Sequence, residues 1–179
     1  MEDSESGSSG QKGDPSKREV PTVQTSAVVD LLIKRFSDSV SVVEEKVNWP
    51  SVRVKLEALQ NIATFLKQEP TLDFDYLTSI SGVDYPERSP RFDLVYHFVS
   101  LKYKHVLAIK VGVGEKEVAP SLTPLWKSAD WNEREIFDLL GIQFSGHPDL
   151  RRILLPDQWK GHPLRKDYVL AEEDKFPGD

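Results

Sequence analysis

The residues that could do chemistry are densest between Glu133 and Asp138, where three carboxylates flank Arg134. Glu133 and Glu135 are two residues apart, so on a helix they point in different directions and do not form an acid/base pair on one substrate. Arg134 and Asp138 are four apart and can pair on one helical turn. We therefore interpret the cluster as the charged, solvated or interface side of a capped helix. A free-standing acid/base enzyme that uses Glu133 and Glu135 is the alternative from another class.

Two histidines stand in similar short units, GHPDLRR around His147 and GHPLRKD around His162. A metal site built from them with Asp149 or Asp167 is conceivable, because imidazole and carboxylate are common ligands. However, the histidines are fifteen residues apart in proline-rich chain, and neither shares a helix face with another ligand. We expect turns at the prolines, local hydrogen bonds from the histidines and no metal.

Arginine and aromatic residues are concentrated after residue 146, although the whole chain has a net charge of -6. Arginine forms two-pronged bonds to carboxylates, and together with aromatic residues it is typical of binding hot spots. We expect this segment to dock on a protein partner and to be loosely held without it. Arg151, Arg152 and Arg165 should meet carboxylates of that partner or the Glu135–Asp138 side of the helix. The predicted interface comprises His147, Pro148, Asp149, Arg151, Arg152, Trp159, His162, Arg165, Lys166, Asp167 and Tyr168.

Composition excludes several function classes. The 179 residues include no cysteine, so disulfides, cysteine-ligated clusters and thiol catalysis are excluded. The acidic balance disfavours nucleic acid, and the longest apolar runs are too short to span a bilayer. No phosphate loop or zinc signature is present. These features favour a binding or scaffold protein that reaches a membrane only through partners.

The elements that must position these residues follow from periodicity. Helical spacing begins near Thr25 and recurs at 59–66, while strands are predicted at 39–47, 52–56, 74–83, 91–100 and 107–113, the last two forming a hairpin. This order predicts an α+β fold, a two-layer sandwich of helices on a mixed or antiparallel sheet, with an extended C-terminal segment. We divide the chain into a disordered polar tail (1–25), an α+β domain (26–142) and a proline-punctuated docking segment (143–179).

The charged cluster itself is predicted to lie on a helix over 130–140. Asp130 is a suitable N-cap, and Glu133 stands three residues later, as in a capping box. Gly141 is placed to end the helix in a left-handed conformation.

The C-terminal motifs resemble those of a known family. ADWNERE (129–135), DLLGI (138–142), GHPDLRRIL (146–154) and GHPLRKDY (161–168) follow one another as in the thirty-kilodalton subunit of respiratory complex I, which is lettered C in bacterial nomenclature. FDYL (74–77) and GVDYP (82–86) are also similar, and the resemblance covers about 72–168. Asn132, Leu140 and Val169 depart from residues that are frequent in the family. Glu133, Arg134, Glu135, Asp138 and Gly141 are the motif residues of the helix.

The resemblance implies an α+β scaffold subunit in the peripheral arm of a proton-translocating NADH:quinone oxidoreductase. It implies that flavin, iron–sulfur clusters and quinone belong to partners and that this protein holds none and contributes no catalytic residue. The implied partners are the hydrogenase-like subunit, lettered D, and the cluster-bearing subunits, lettered B and I, at the cytoplasmic face of a bacterial membrane. Equivalent subunits of ferredoxin-linked complexes and membrane-bound [NiFe] hydrogenases remain alternatives, because the motifs do not identify the electron donor.

Overall fold

The computed structural model describes residues 22–43 and 49–170, with side chains in the first helix described from residue 27. Our expectations for residues 1–21, 44–48 and 171–179 lie outside this part. The elements are α1 (Thr22–Arg35), β1 (Val40–Val42), β2 (Ser51–Val54), a 3-10 turn (Leu56–Ala58), α2 (Leu59–Gln68), β3 (Tyr76–Asp84), β4 (Phe92–Ser100), β5 (His105–Val113), β6 (Val118–Pro120), α3 (Ala129–Leu140) and β7 (Gln143–Ser145). Helix α1 therefore begins inside the stretch assigned to the polar tail.

Five strands form one sheet in the order β1-β2-β5-β4-β3. The β2–β5 pair is parallel and the other pairs are antiparallel, so the sheet is mixed and the predicted α+β class is confirmed. The predicted hairpin is also confirmed, with register from Phe92 opposite Val113 to Ser100 opposite His105. Strand β2 ends two residues earlier than predicted because Leu56 starts the 3-10 turn.

Alternating residues of the central strands form the core together with α1 and α2. Burial at roughly 25 cal/mol per Å² of apolar surface is the main stabilising contribution, and it requires one apolar face per strand. The strand side chains Leu94, Tyr96, Phe98, Leu107 and Ile109 are fully buried and share one cluster with Leu32, Ile62 and Leu66 of the helices.

A second sheet has two strands, one before helix α3 in the chain and one after it. Strands β6 and β7 pair in parallel, with α3 as the connection between them. The sequence patterns did not predict this unit, because strands of three residues carry no measurable periodicity. Strand β7 lies at the start of the 143–179 segment that was expected to be extended. From 146 to 170, where the described part of the chain ends, the segment contains turns and bends but no helix or strand.

The predicted capping of α3 is wrong at its start and right at its end. The residue before the helix is Ser128, and its hydroxyl donates to the Leu77 carbonyl at 2.8 Å instead of capping the helix. Asp130 lies inside the first turn and Glu133 bonds elsewhere, because tertiary contacts outweigh local capping. Gly141 ends the helix in the left-handed region, at φ 76°.

None of the helices in the described part of the chain has the length and apolar character that crossing a membrane requires.

Candidate functional site

Helix α3 packs lengthwise against the edge strand β3, and this contact decides which of its side chains are buried. The Asn132 Oδ1 atom accepts the N–H of Ile80 at 3.3 Å, so the helix satisfies part of the open strand edge. A Cβ atom at Gly82 would overlap the Cδ1 atom of Leu140, which shows how closely helix and strand approach.

The charged cluster on α3 is mostly buried. Glu133 and Asp138 have no exposed surface and Arg134 is 9% exposed, whereas Glu135 is exposed. The expectation of a solvated charged side is therefore wrong for three of the four residues. Because Glu133 is enclosed and Glu135 faces solvent, the two carboxylates do not share a site where one substrate could meet both.

Glu133 holds the loop that follows β6. Its Oε1 atom accepts the N–H of Leu122 at 2.7 Å, while Oε2 and the buried hydroxyl of Tyr96 make no hydrogen bond within the described residues. Burial raises the pKa of Glu133 to about 7, with the donors of Ser121 and Leu122 opposing that rise and the charge of Asp130 adding to it. Burial and the nearby Glu133 charge also raise the pKa of Tyr96. The α3 motif thus carries a carboxyl group that binds a proton near neutral pH.

Asp138 is the anchor for the segment of residues 146–168, hereafter the C-terminal segment. Its Oδ2 atom accepts the backbone N–H groups of Ile153, Leu154 and Leu155 at 3.0, 2.8 and 3.0 Å. Its Oδ1 atom accepts from Arg152 Nη1 at 2.7 Å. Burial would raise the pKa of Asp138, but these donors outweigh it and hold the pKa below its usual value. The carboxylate is therefore charged and fully occupied by its own chain.

The C-terminal segment also satisfies the end of α3. Three of its groups lie close to the last carbonyl oxygens of the helix. His162 Nδ1 lies 2.9 Å from that of residue 138, the Leu164 N–H 3.0 Å from that of residue 139, and Arg165 Nε 2.7 Å from that of residue 140. Carbonyls in the last turn of a helix have no partner inside the helix, and they carry the negative end of its dipole. The turn at Gly141 leaves room for these donors, so the GHPLR stretch serves as a C-terminal cap supplied from a distance.

A second buried carboxylate anchors the far end of the segment. Asp84, at the end of β3, accepts two bonds from Arg91 at 2.7 and 2.9 Å and the Lys166 N–H at 2.8 Å. Arg91 also pairs with Asp167 at 2.6 Å, and Glu115 bridges Arg91 to the segment through Arg165. The Arg91 bonds are the largest cause that holds the pKa of Asp84 below its usual value, against the effect of burial.

The two histidines lie at opposite ends of α3. His147 Nδ1 accepts the N–H of Asp149 at 3.0 Å, and its Nε2 lies 3.3 Å from the Asp130 carbonyl. His162 binds the carbonyl of Asp138, eight residues later and about 12 Å along the helix. Within the ranges that the structure describes, no cluster of three or more His, Asp or Glu side chains could hold a metal ion. The structure thus separates the ligands that a His147–His162 site would need.

Of the remaining predicted interface residues, some make contacts that hold the segment in place and others are exposed to solvent. Arg151 pairs with Asp149 at 2.9 Å on the surface, and Trp159 supplies a carbonyl to Arg152 while its own indole N–H has no partner in the described residues. Tyr168 packs against Gly161. Large apolar side chains that stay exposed on the segment and on α3 include Trp131, Leu154 and Leu164, and Val169 and Leu170 directly after the segment are exposed as well.

Sequence reasoning missed Asp84, Arg91 and Tyr96 as parts of this site. Asp84 lies in the GVDYP motif at the end of a predicted strand, and this motif was the signal available in the sequence. Tyr96 lies on the apolar face of β4, which places its hydroxyl in the core. Arg91 carried no signal, because Glu115 and Asp167 are distant in the sequence and Asp84 is on the other side of the loop between β3 and β4.

The family model described as respiratory-chain NADH dehydrogenase, 30 Kd subunit, matches residues 52–174. Among curated relatives, an NADH-quinone oxidoreductase subunit (lettered C) of Roseiflexus castenholzii (strain DSM 13941 / HLO8) is 49% identical over 125 residues, 69% of this chain and 72% of that protein. Its counterpart in Chloroherpeton thalassium (strain ATCC 35110 / GB-78) is 44% identical over 142 residues, 78% of this chain and 58% of that protein.

Among solved structures, a chain of the membrane-bound sulfane sulfur reductase, an archaeal respiratory membrane complex, is similar with a TM-score of 0.68. The match covers 83% of this chain and 87% of that chain at 18% identity, and at this identity it concerns the fold alone.

Proposed function

The chain belongs to the family of the 30 Kd subunit of respiratory-chain NADH dehydrogenase, and on the basis of this membership we propose that it is a cofactor-free scaffold subunit. It would brace the peripheral arm of a proton-translocating NADH:quinone oxidoreductase and contribute no catalytic residue. One observation carries the proposal: the charged motif residues Asp138, Arg152 and Arg165 bind groups of their own chain and hold the C-terminal segment against α3.

The exposed residues support a docking role. Because Asp138 and Asp84 anchor it, the segment forms a preformed surface together with α3. On this surface Trp131, Leu154 and Leu164 are 64%, 59% and 56% exposed. Preformed apolar side chains lower the entropy cost of association. We propose that this surface, with the outward parts of the predicted interface residues, meets the hydrogenase-like subunit and the two cluster-bearing subunits of the complex.

We also propose that flavin, clusters and quinone belong to those partners. The sequence has no cysteine to ligate a cluster. Elemental analysis and an absorption spectrum of the purified chain test this, and stoichiometric iron, zinc or a flavin band would contradict it. Attachment to the cytoplasmic face of a bacterial membrane would then occur through the complex.

The decisive experiment is purification of the full chain, carrying an affinity tag, from native membranes in mild detergent. We expect the other subunits of the oxidoreductase to co-purify in stoichiometric amounts with NADH:quinone activity. Co-purification with a ferredoxin-linked module or a [NiFe] hydrogenase would support those alternatives instead. A chain recovered alone, with turnover of its own, would overturn the scaffold proposal.

A further inference from the structure

Trp131 and Arg134 form an unusual pair on the first turns of α3. The Trp131 side chain is 64% exposed, although most tryptophans are largely buried. The guanidinium carbon of Arg134 lies 5.0 Å from the centroid of the Trp131 ring, within cation–π distance. Arg134 itself is only 9% exposed, so an enclosed cation lies beside an aromatic ring that faces solvent.

Arg134 differs from the other arginines around the C-terminal segment in having no counter-charge. Arg91, Arg152 and Arg165 each form an ion pair with a carboxylate at 3.0 Å or less. Across residues 22–43 and 49–170, by contrast, Arg134 makes no ion pair, and its one hydrogen bond runs from Nε to the Arg151 carbonyl at 3.2 Å. Its terminal nitrogens make no hydrogen bond within the described residues and are not fully enclosed.

Neither of the acidic residues one turn away on α3 forms an ion pair with Arg134. Asp138, four residues later, is occupied by Arg152 and by three backbone N–H groups. Asp130, four residues earlier, forms no ion pair with Arg134; its enclosed Oδ1 atom makes no hydrogen bond within the described residues and lies 3.6 Å from the ring Nε2 of His147. A nearly buried guanidinium without a counter-charge is unfavourable, and a carboxylate that arrives with a partner would remove that penalty.

We propose that Trp131 and Arg134 are a docking point for an acidic segment of a neighbouring protein subunit. A carboxylate of that segment binds the terminal nitrogens of Arg134, and an adjacent apolar side chain packs on the Trp131 ring. Charge complementarity identifies the first feature and the exposed aromatic surface identifies the second. A small inorganic anion would satisfy Arg134 but leave Trp131 in water. This inference rests on the proposed scaffold function and adds the chemistry of the partner.

Site-specific photocrosslinking tests the proposal in the full chain. Trp131 is replaced by p-benzoylphenylalanine, intact cells are irradiated before purification, and crosslinked peptides are mapped by mass spectrometry. We expect a crosslink to another subunit within a few residues of an Asp or Glu. The same probe at Tyr76, another exposed aromatic residue at 49% exposure, should not label that peptide. No crosslink, a crosslink to a second copy of this chain, or one to a segment without acidic residues would overturn the proposal.

Two variants extend the test. Trp131→Ala should leave the melting temperature of the purified chain unchanged, because the side chain is exposed, and should reduce the co-purified partner at least about tenfold. Arg134→Glu should reduce it similarly, and reversing the mapped partner acid to Arg should restore it. Normal assembly of Trp131→Ala with the oxidoreductase would refute the docking point while leaving the scaffold proposal intact. If no oxidoreductase subunit co-purifies with the wild type, the scaffold proposal fails, and the in-cell crosslink still decides the docking point.

Discussion

Arg152 Nη1 lies 2.7 Å from Asp138 Oδ1, with the Asp138 side chain fully buried and that of Arg152 15% exposed. The pair joins a helix to a segment without regular structure, and Arg152 also donates to the carbonyls of Trp159 and Gly161. Of the two partners expected for this arginine, a carboxylate of another subunit or one of its own helix, the structure has the second. The pair therefore contributes to the stability of the isolated chain.

We expect Arg152→Ala to lower the free energy of unfolding of the isolated chain by about 3–5 kcal/mol, because it leaves the buried Asp138 charge without its cation. Urea unfolding followed by circular dichroism measures this. The matched control is Arg151→Ala, whose pair with Asp149 is exposed and should change stability by less than about 1 kcal/mol. Equal small effects for the two variants would show that the segment is not part of the stable fold.

Glu133→Gln should change how stability depends on pH. The carboxyl binds its proton more tightly in the folded chain, with a pKa of about 7 against 4.5 for the unfolded reference. Between those values the folded state binds more protons, so the wild-type free energy of unfolding falls as pH rises, by roughly 3 kcal/mol in total. Glutamine keeps an acceptor for the Leu122 N–H and carries no charge, so it removes this dependence.

Urea unfolding of wild type and Glu133→Gln at pH 5 and pH 8 measures the difference. The free energy of unfolding of Glu133→Gln, relative to that of the wild type, should be higher at pH 8 than at pH 5. Glu135→Gln, at an exposed position on the same helix, is the control and should follow the wild type. Parallel pH profiles for wild type and Glu133→Gln would contradict a buried, proton-binding Glu133.

Acid should release the C-terminal segment before it unfolds the sheet. The pKa values of Asp84 and Asp138 both lie below the reference of 3.8. The bonds from Arg91 lower that of Asp84. For Asp138, burial would raise the pKa, but the backbone N–H groups and Arg152 outweigh it. Carboxylates with lowered pKa stabilise the fold above the unfolded pKa, and that stability is lost as pH falls through the folded pKa. We therefore expect pepsin to cut within residues 146–168 below about pH 4 while the sheet remains protected. Cleavage that begins in β4 or β5 instead would contradict this order.

Gly141→Ala should be more destabilising than Gly146→Ala. Both glycines have φ near 77°, which a side chain adopts at a cost of about 1–2 kcal/mol. A Cβ atom at Gly141 would also lie 2.5 Å from the His162 ring and 2.8 Å from Arg165, whereas one at Gly146 meets nothing within 4 Å. The difference between the two urea midpoints isolates the contact with the segment. Equal midpoints would show that the segment moves away without cost.

Local patterns in the sequence determined much of the fold. Strands β4 and β5 were predicted to within two residues because alternate side chains of a strand must face the same core. Helices α2 and α3 were predicted from the spacing of their apolar residues. The left-handed turn that ends α3 was predicted from Gly141. The motif order also identified the family. These features depend on neighbours within a few residues, which is the range over which backbone geometry repeats.

Only the tertiary structure decided what the charged residues do. Glu133 and Asp138 occur in a helical pattern that is equally compatible with a solvated surface. Glu133 is buried because α3 packs along β3 and beside the loop that follows β6, and Asp138 is buried because the chain returns over α3 from residues 146–168. Asp84 and Lys166 are 82 residues apart, yet one hydrogen bond joins them. The hydrogen-bond partner of a buried carboxylate is the donor that lies next to it in space. That donor is determined by the packing of the whole domain, so the pair produces no periodic pattern in the sequence.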